Sequence, residues 1–200
     1  MGAGAARLSP GSLDELRAAV AAAFSERDES LPPFCGGYCG YLGWSTARWT
    51  ERLPQRLGPD PLFPAAELMR VDELVAFDHR QGRTWAIAQS PAAAKRLADR
   101  VLHGFAQGHF PDALRTPASR APGRVPEPVP IAGGEKQFKA AVRRALEYIH
   151  AGDIFQVVLS QRFELPDCDG FSLYRTLRAA SPAPYHFYLR IGGRELFGAS

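Results

Sequence analysis

The stretch that decides the fold is Glu135–Phe163, which reads EKQFKAAVRRALEYIHAGDIFQVVLSQRF and changes its hydrophobic period once. In the first half, apolar side chains recur at helical spacing and charged ones fill the other side, which predicts an amphipathic helix. Gly152 is expected to end this helix, because glycine adopts the left-handed C-terminal conformation without a steric penalty. From Ile154 the period is two, which predicts a strand whose apolar face carries Phe155, Val157, Leu159 and Phe163.

The opposite face of this predicted strand is polar. It carries an amide, a hydroxyl and a guanidinium, on Gln156, Ser160 and Arg162. Such a face is expected to look into a polar pocket or into water. From the residues alone, the first interpretation of Gln156 is that it satisfies backbone groups across a sheet, and a pocket role comes second.

Composition places the chain among ordinary globular proteins. Its 200 residues are 46% hydrophobic and 22% charged, enough for one large domain or two small ones. The net charge of +3 is small and spread out, which predicts no nucleic-acid partner. No apolar run has membrane-spanning length and no signal peptide is found. The three cysteines, Cys35, Cys39 and Cys168, are few and odd in number, which indicates a reducing cytoplasm.

A metal site is the alternative interpretation of Cys35 and Cys39. Their spacing lacks a second pair of ligands, and the glycines between and after them indicate a tight backbone. We therefore expect two small buried thiols and predict no metal ligand in this chain.

Elements are predicted from caps, periods and turn residues. Before residue 108 they are a helix at 12–25 capped by Ser12, a glycine-crowded strand within 32–44, a short helix capped by Ser45, a hairpin of 68–78 with 83–89, and a helix opened by Ser90 and Pro91. After residue 164 they are a helix capped by Ser172, a strand at 185–191, a Gly192–Gly193 turn and a partner strand from 195.

A proline-rich segment predicts the domain boundary. Residues 109–134 contain six prolines and few large apolar groups, so they are expected to form a linker. The predicted division is a first subdomain at 1–108, this linker, and the start of a second domain at 135–200.

The run Tyr148–Phe163 resembles the entry to the chorismate-binding domain of anthranilate synthase component I and of its relative, aminodeoxychorismate synthase component I. A second segment resembles the N-terminal part of the same family, with Trp44 where the family usually has tyrosine; it consists of Gly36, Gly37, Gly40, Tyr41 and residues 51–54. The resemblance implies an α+β fold with two facing antiparallel sheets and outer helices. It further implies that residues 1–108 are part of an N-terminal regulatory-type subdomain and that residues 135–200 begin the chorismate-binding catalytic domain, so that the chain is truncated at both ends.

The function implied by the resemblance is that of a carbon–oxygen lyase of tryptophan biosynthesis. Such an enzyme converts chorismate and ammonia to anthranilate and pyruvate, with Mg²⁺ as cofactor and a glutamine amidotransferase partner as the ammonia source. The family's metal ligands lie downstream of the position of Ser200. We therefore expect the 200-residue chain alone to be inactive.

Two site assignments follow from the resemblance. Gln156 occupies the position near which the nucleophile meets the ring, where relatives that add water carry a lysine. An amide is not basic, but it can hydrogen-bond incoming ammonia. A second segment resembles the Asn-Pro-Ser-Pro-Tyr-Met wall of a tryptophan pocket, with serine for asparagine and histidine for methionine; its residues are Ser181, Pro182, Pro184, Tyr185 and His186.

Three alternatives stay open. The first is an aminodeoxychorismate synthase component I of folate synthesis, although Val157-Val158-Leu159 is more similar to anthranilate synthase. The second is a non-catalytic module that binds tryptophan or docks a partner. The third, an isochorismate- or salicylate-forming enzyme, comes last because of Gln156.

Overall fold

The structure is a computed structural model. It describes residues 6–23, 28–54, 58–60, 62–107, 128–131, 133–165 and 169–200. Its helices are α1 (Leu13–Ala22), a 3₁₀ helix (Trp44–Trp49), α2 (Pro91–Ala106), α3 (Gly134–Ala151) and α4 (Gly170–Ala180). Its strands are β1 (Arg7–Leu8), β2 (Gly37–Leu42), β3 (Ala66–Val71), β4 (Glu73–Asp78), β5 (Arg83–Ala88), β6 (Val129–Ile131), β7 (Arg162–Glu164), β8 (His186–Ile191) and β9 (Arg194–Ala199). Every strand pair is antiparallel, which confirms the α+β class.

The chain divides into two compact units. The first combines Met1–Asp112 with Ser181–Ser200, and the second is Ala113–Ala180. The first unit is thus built from two stretches that are far apart in sequence. The predicted boundaries concern the domains of a complete protein, and they stay a prediction.

The core of the first unit lies along β3, the middle strand of the sheet β1-β3-β2. Ala66 and Leu68 are buried, and the neighbouring strand β2 approaches their backbone closely at Gly40. A Cβ added at Gly40 would fall within 3.0 Å of the backbone of Glu67 and Leu68. The glycine-crowded sequence is therefore a packing device, as the pattern predicts.

Two hairpins complete the first unit. Strands β4 and β5 pair around residues 79–82, where the Asp78 carboxylate accepts the N–H groups of Arg80 and Gln81 at 2.8 and 2.9 Å. Helix α2 packs on β5 and buries Leu97. The second hairpin pairs β8 with β9 through the Gly192–Gly193 turn.

The second unit contains α3, α4 and the strand pair β6–β7. Helix α3 ends at Gly152, whose φ of +80° is the predicted left-handed C-cap. None of the described residues of α3 or α4 is fully buried. The apolar face of α3 is therefore only partly covered within this chain.

The strand predicted at 154–163 is wrong over most of its length. Only Arg162–Glu164 forms a strand, and residues 154–161 have no regular secondary structure and no ladder pairing. Phe155 is 94% exposed, Phe163 55% and Val157 43%, so the predicted apolar core face is not buried. Alternating side chains give a segment two distinct faces, but a strand also needs a neighbouring strand to which its backbone can hydrogen-bond.

Smaller departures concern caps and boundaries. Ser45 caps no helix; the 3₁₀ helix begins at Trp44, and the Thr46 hydroxyl donates to the carbonyl of Gly43 at 2.8 Å. The cap of α4 is supplied by the Asp169 carboxylate, which accepts the N–H of Ser172 at 2.7 Å.

The predicted strand at 68–78 divides into two strands of different sheets. Of the predicted linker, residues 109–127 and 132 lie outside the described residues, as does Cys168, and residues 129–131 form β6. Within the described ranges, none of the helices combines the length and the apolar character needed to cross a membrane.

Candidate functional site

The side chain of Gln156 is exposed in the segment between Gly152 and β7. It belongs to the second compact unit. The residues that line the two best-formed surface pockets of the described chain all lie in the first unit and do not include it. The catalytic role of Gln156 therefore stays a prediction, resting on family likeness.

The segment 181–186 is an extension of the β8–β9 hairpin. The N–H of Tyr185 donates to the carbonyl of Ser200 at 3.0 Å, and the N–H of Ser200 donates back at 2.8 Å. Pro182 and Pro184 are exposed, and Tyr185 is 76% exposed. The prolines fix an extended backbone that presents an aromatic ring on the surface, which is the form that a pocket wall would take. Its tryptophan-binding role stays a prediction.

The structure contains a buried charged cluster that the sequence did not predict. Glu67 is 1% exposed, the one charged side chain that the described residues bury almost completely. Its Oε2 accepts from Arg194 Nη2 at 2.5 Å and from the Tyr41 hydroxyl at 3.4 Å, and its Oε1 lies 3.4 Å from Arg7 Nε. A buried carboxylate is tolerated only with such partners, because its desolvation costs several kcal/mol.

Aromatic rings surround this cluster. Phe63 packs edge-on against Tyr41 with centroids 6.4 Å apart, and the Arg194 guanidinium lies 5.9 Å from the Phe63 centroid. Burial, followed by the negative charge of Glu67, raises the pKa of the Tyr41 phenol above its ordinary value. The hydrogen bond to Glu67 raises the pKa of Arg194 above its ordinary value.

The sequence carried one weak signal of this cluster. Glu67 stands in a run of apolar residues, Ala66 to Met69, where the strand period puts it opposite Tyr41. No local pattern connects it with Arg194, which is 127 positions away.

Metal binding finds no support in the described residues. No group of three or more His, Cys, Asp and Glu side chains within them is arranged to hold a metal ion. Cys35 and Cys39 are free thiols and are half-buried, not fully buried as predicted. The magnesium of the family therefore has no fitting donor set in this part of the chain.

An apolar groove lies between α1 and the 3₁₀ helix. It has a volume of about 440 Å³ and is lined by Leu13, Leu16, Trp44, Ala47 and Trp49 among others. Trp44 is almost fully exposed at the edge of this groove.

The sequence matches a known family along almost its whole length. Residues 4–200 match the family model described as chorismate binding enzyme, and the chain belongs to that family. The expected resemblance is thereby confirmed.

Several similar curated relatives are named anthranilate synthase component 1. The protein of Cereibacter sphaeroides is 39% identical over 94% of this chain and 39% of its own length. The protein of Thermus thermophilus is 37% identical over 94% of this chain and 40% of its own length. The chain thus spans about two-fifths of the relatives that it matches.

A solved structure shares the fold. The crystal structure of anthranilate synthase component I from Streptococcus pneumoniae TIGR4 aligns with a TM-score of 0.68, over 100% of this chain and 51% of that chain. The identity is 23%, so this likeness establishes the fold only.

Proposed function

We propose that this chain is part of an anthranilate synthase component I. The complete enzyme would convert chorismate and ammonia to anthranilate and pyruvate in tryptophan biosynthesis, as a carbon–oxygen lyase. A glutamine amidotransferase partner would supply the ammonia. The observation that carries this proposal is the identity of 37–39% to relatives of that name.

Gln156 is proposed to stand beside the incoming ammonia. A carboxamide is neither acid nor base at neutral pH, so it cannot activate water by removing a proton. Ammonia is already nucleophilic and needs only orientation, which an amide oxygen accepting one N–H bond provides. This chemistry favours amination over hydroxylation of the ring.

Magnesium is proposed as the cofactor of the complete enzyme. When bound, it would hold the carboxylate of chorismate. Its ligands are assigned to residues outside the described chain, because the described residues offer no ligand group. A cytoplasmic location is likewise proposed, on the low cysteine content.

The reaction is tested by assaying the complete enzyme with chorismate, ammonium and Mg²⁺, and following anthranilate fluorescence. Anthranilate is the expected product. Aminodeoxychorismate as the only product would replace this proposal with the folate-pathway alternative, and no turnover with retained tryptophan binding would favour the non-catalytic module. The isolated 200-residue chain is expected to give no product.

The role of Gln156 is tested in the same assay with Gln156→Lys. We expect a loss of ammonia-dependent turnover of about 10²-fold, the usual scale for a mispositioned reacting group. The matched control is Gln81→Lys in the β4–β5 turn, whose exposed side chain is remote in sequence and in the other compact unit. Equal activity of Gln156→Lys and Gln81→Lys would contradict the assignment.

The segment 181–186 is proposed to form part of a tryptophan site that inhibits the enzyme. Tryptophan binding to the complete enzyme is measured by calorimetry. Tyr185→Ala is expected to weaken it about fivefold, since a stacked aromatic contact contributes roughly 1 kcal/mol. Tyr148→Ala, in the other unit, is the control and is expected to leave the affinity unchanged.

A further inference from the structure

The β8–β9 hairpin is anchored at its turn. Ile191, beside the turn, is 5% exposed, while Phe187 and Tyr185 further along the same edge are progressively more exposed. Contacts between β8 and β3 join the hairpin to the sheet β1-β3-β2. The segment 181–185 lies at the end of the hairpin opposite this turn.

The anchor is the buried carboxylate of Glu67. Arg194, the first residue of β9, donates to Glu67 Oε2 at 2.5 Å, and Arg7 of β1 lies against the other oxygen. The turn itself covers the carboxylate: a Cβ on Gly192 would overlap Glu67 and lie 2.8 Å from Arg194 Nη2 and from Arg7 Nη1. Glycine is required there by this close approach and by a φ of +58°.

We propose that Glu67 is a positioning residue that fixes the β8–β9 hairpin to the sheet β1-β3-β2 through Arg194, and thereby sets the place of the segment 181–185. The hairpin has six consecutive residue pairs and a further hydrogen-bonded pair between Tyr185 and Ser200. It therefore moves as one body, and a change at the turn reaches the far end. This inference does not depend on tryptophan binding at that segment.

The ion pair is suited to this role because water can reach its arginine side but not the carboxylate of Glu67. Glu67 is closed off by the sheet and the turn, whereas the side chain of Arg194 is 30% exposed and that of Arg7 is 55% exposed. Removing Arg194 leaves a buried carboxylate with two longer contacts, to Arg7 and to the Tyr41 hydroxyl at 3.4 Å each. The cheapest relief is then for the turn to lift and admit water.

The test is native-state hydrogen exchange of the 200-residue chain, with Glu67→Gln, Arg194→Gln and the double variant. We expect each single variant to speed exchange in β8, in β9 and at the Tyr185 amide by about tenfold or more, with amides of β4, β5 and α2 changed less than about threefold. The double variant is expected to be no faster than the faster single variant, because both remove the same interaction.

The matched control is Arg190→Gln. Arg190 pairs with Glu195 at 2.6 Å, so this ion pair joins the two strands of the same hairpin. Its loss is expected to change exchange at the Tyr185 amide less than about threefold, the usual scale of an exposed pair.

A uniform rise in exchange across the first unit would overturn the proposal, because it would mean general destabilisation. Unchanged hairpin exchange, or additive effects in the double variant, would overturn it as well. Where Glu67→Gln does not fold, Arg194→Lys decides: it keeps the charge but loses the planar fork of donors. A rise confined to the hairpin supports the proposal, and a global rise or none refutes it.

Discussion

Tyr41 and Glu67 face each other across the β2–β3 ladder, and this closeness keeps the phenol protonated. Burial and the Glu67 charge raise the pKa of Tyr41 above 10.0. Below the ordinary tyrosine pKa both states carry the proton. As the pH rises beyond it, the unfolded chain loses its proton first, so stability falls until the folded pKa is passed.

We therefore expect the urea midpoint to drop as the pH rises above about 10, and to drop less in Tyr41→Phe. Tyr188, whose pKa is also raised, first by burial, keeps part of the effect in that variant. The measurement is a series of urea unfolding curves across this range. An identical pH dependence in the two proteins would refute the assignment.

Glycine is required at Gly40 and is only tolerated at Gly104. Gly40→Ala would drive a Cβ into the backbone of β3, and neither strand can give way cheaply. We expect a loss of about 1–3 kcal/mol in the free energy of unfolding. Gly104→Ala, in α2 with open space around it, is expected to gain about 0.5–1 kcal/mol. Urea unfolding measures both, and effects of the same sign would contradict the packing role.

Helix capping distinguishes Ser90, which caps α2, from Ser45, which caps no helix. The Ser90 hydroxyl accepts the N–H of Ala93 at 3.3 Å at the start of α2, whereas Ser45 caps nothing. Ser90→Ala is therefore expected to lower the free energy of unfolding by about 1 kcal/mol, and Ser45→Ala to change it by less than about 0.5 kcal/mol. Circular dichroism during denaturation reports both, and equal effects would show that the cap contributes nothing.

The helices were predictable because their causes are local. Ser12, Ser90 and Gly152 perform the capping roles that their positions suggest, and each lies within four residues of the groups it serves. The stretch 154–161 was not predictable in the same way. Its alternation describes which faces a strand would have, but pairing depends on another segment of chain.

The same reasoning explains why the sequence predicts one of these sites and not the other. Tyr185 and its prolines could be named from a contiguous motif. Glu67 and Arg194 could not be connected, because 127 positions separate them and only the folded sheet brings them together. The position of Gln156 beside substrate stays a prediction.

Exposed apolar side chains at residues 155–163 affect the molecule as a whole. Phe155 and Val158 are almost fully exposed, next to a half-exposed Phe163. Neighbouring apolar groups of this kind promote association. We expect the 200-residue chain to bind a hydrophobic dye such as ANS and to self-associate as its concentration rises.

Phe155→Ser with Val158→Ser is expected to reduce dye binding and association without lowering the urea midpoint, because the replaced groups are not packed. Leu102→Ser, at a leucine of α2 that is 66% exposed, is the control and is expected to leave both nearly unchanged. Analytical ultracentrifugation and dye fluorescence measure the outcome. A lower midpoint in the double variant would mean that the segment is packed in solution.

The division of the first unit between Met1–Asp112 and Ser181–Ser200 has a consequence for biosynthesis. Glu67 leaves the ribosome 127 residues before Arg194. At about 5–20 residues per second, its carboxylate stays hydrated for roughly 6–25 seconds before its main partner is made. During that interval the nascent sheet lacks its cover, so this unit can be completed only after the last hairpin has emerged.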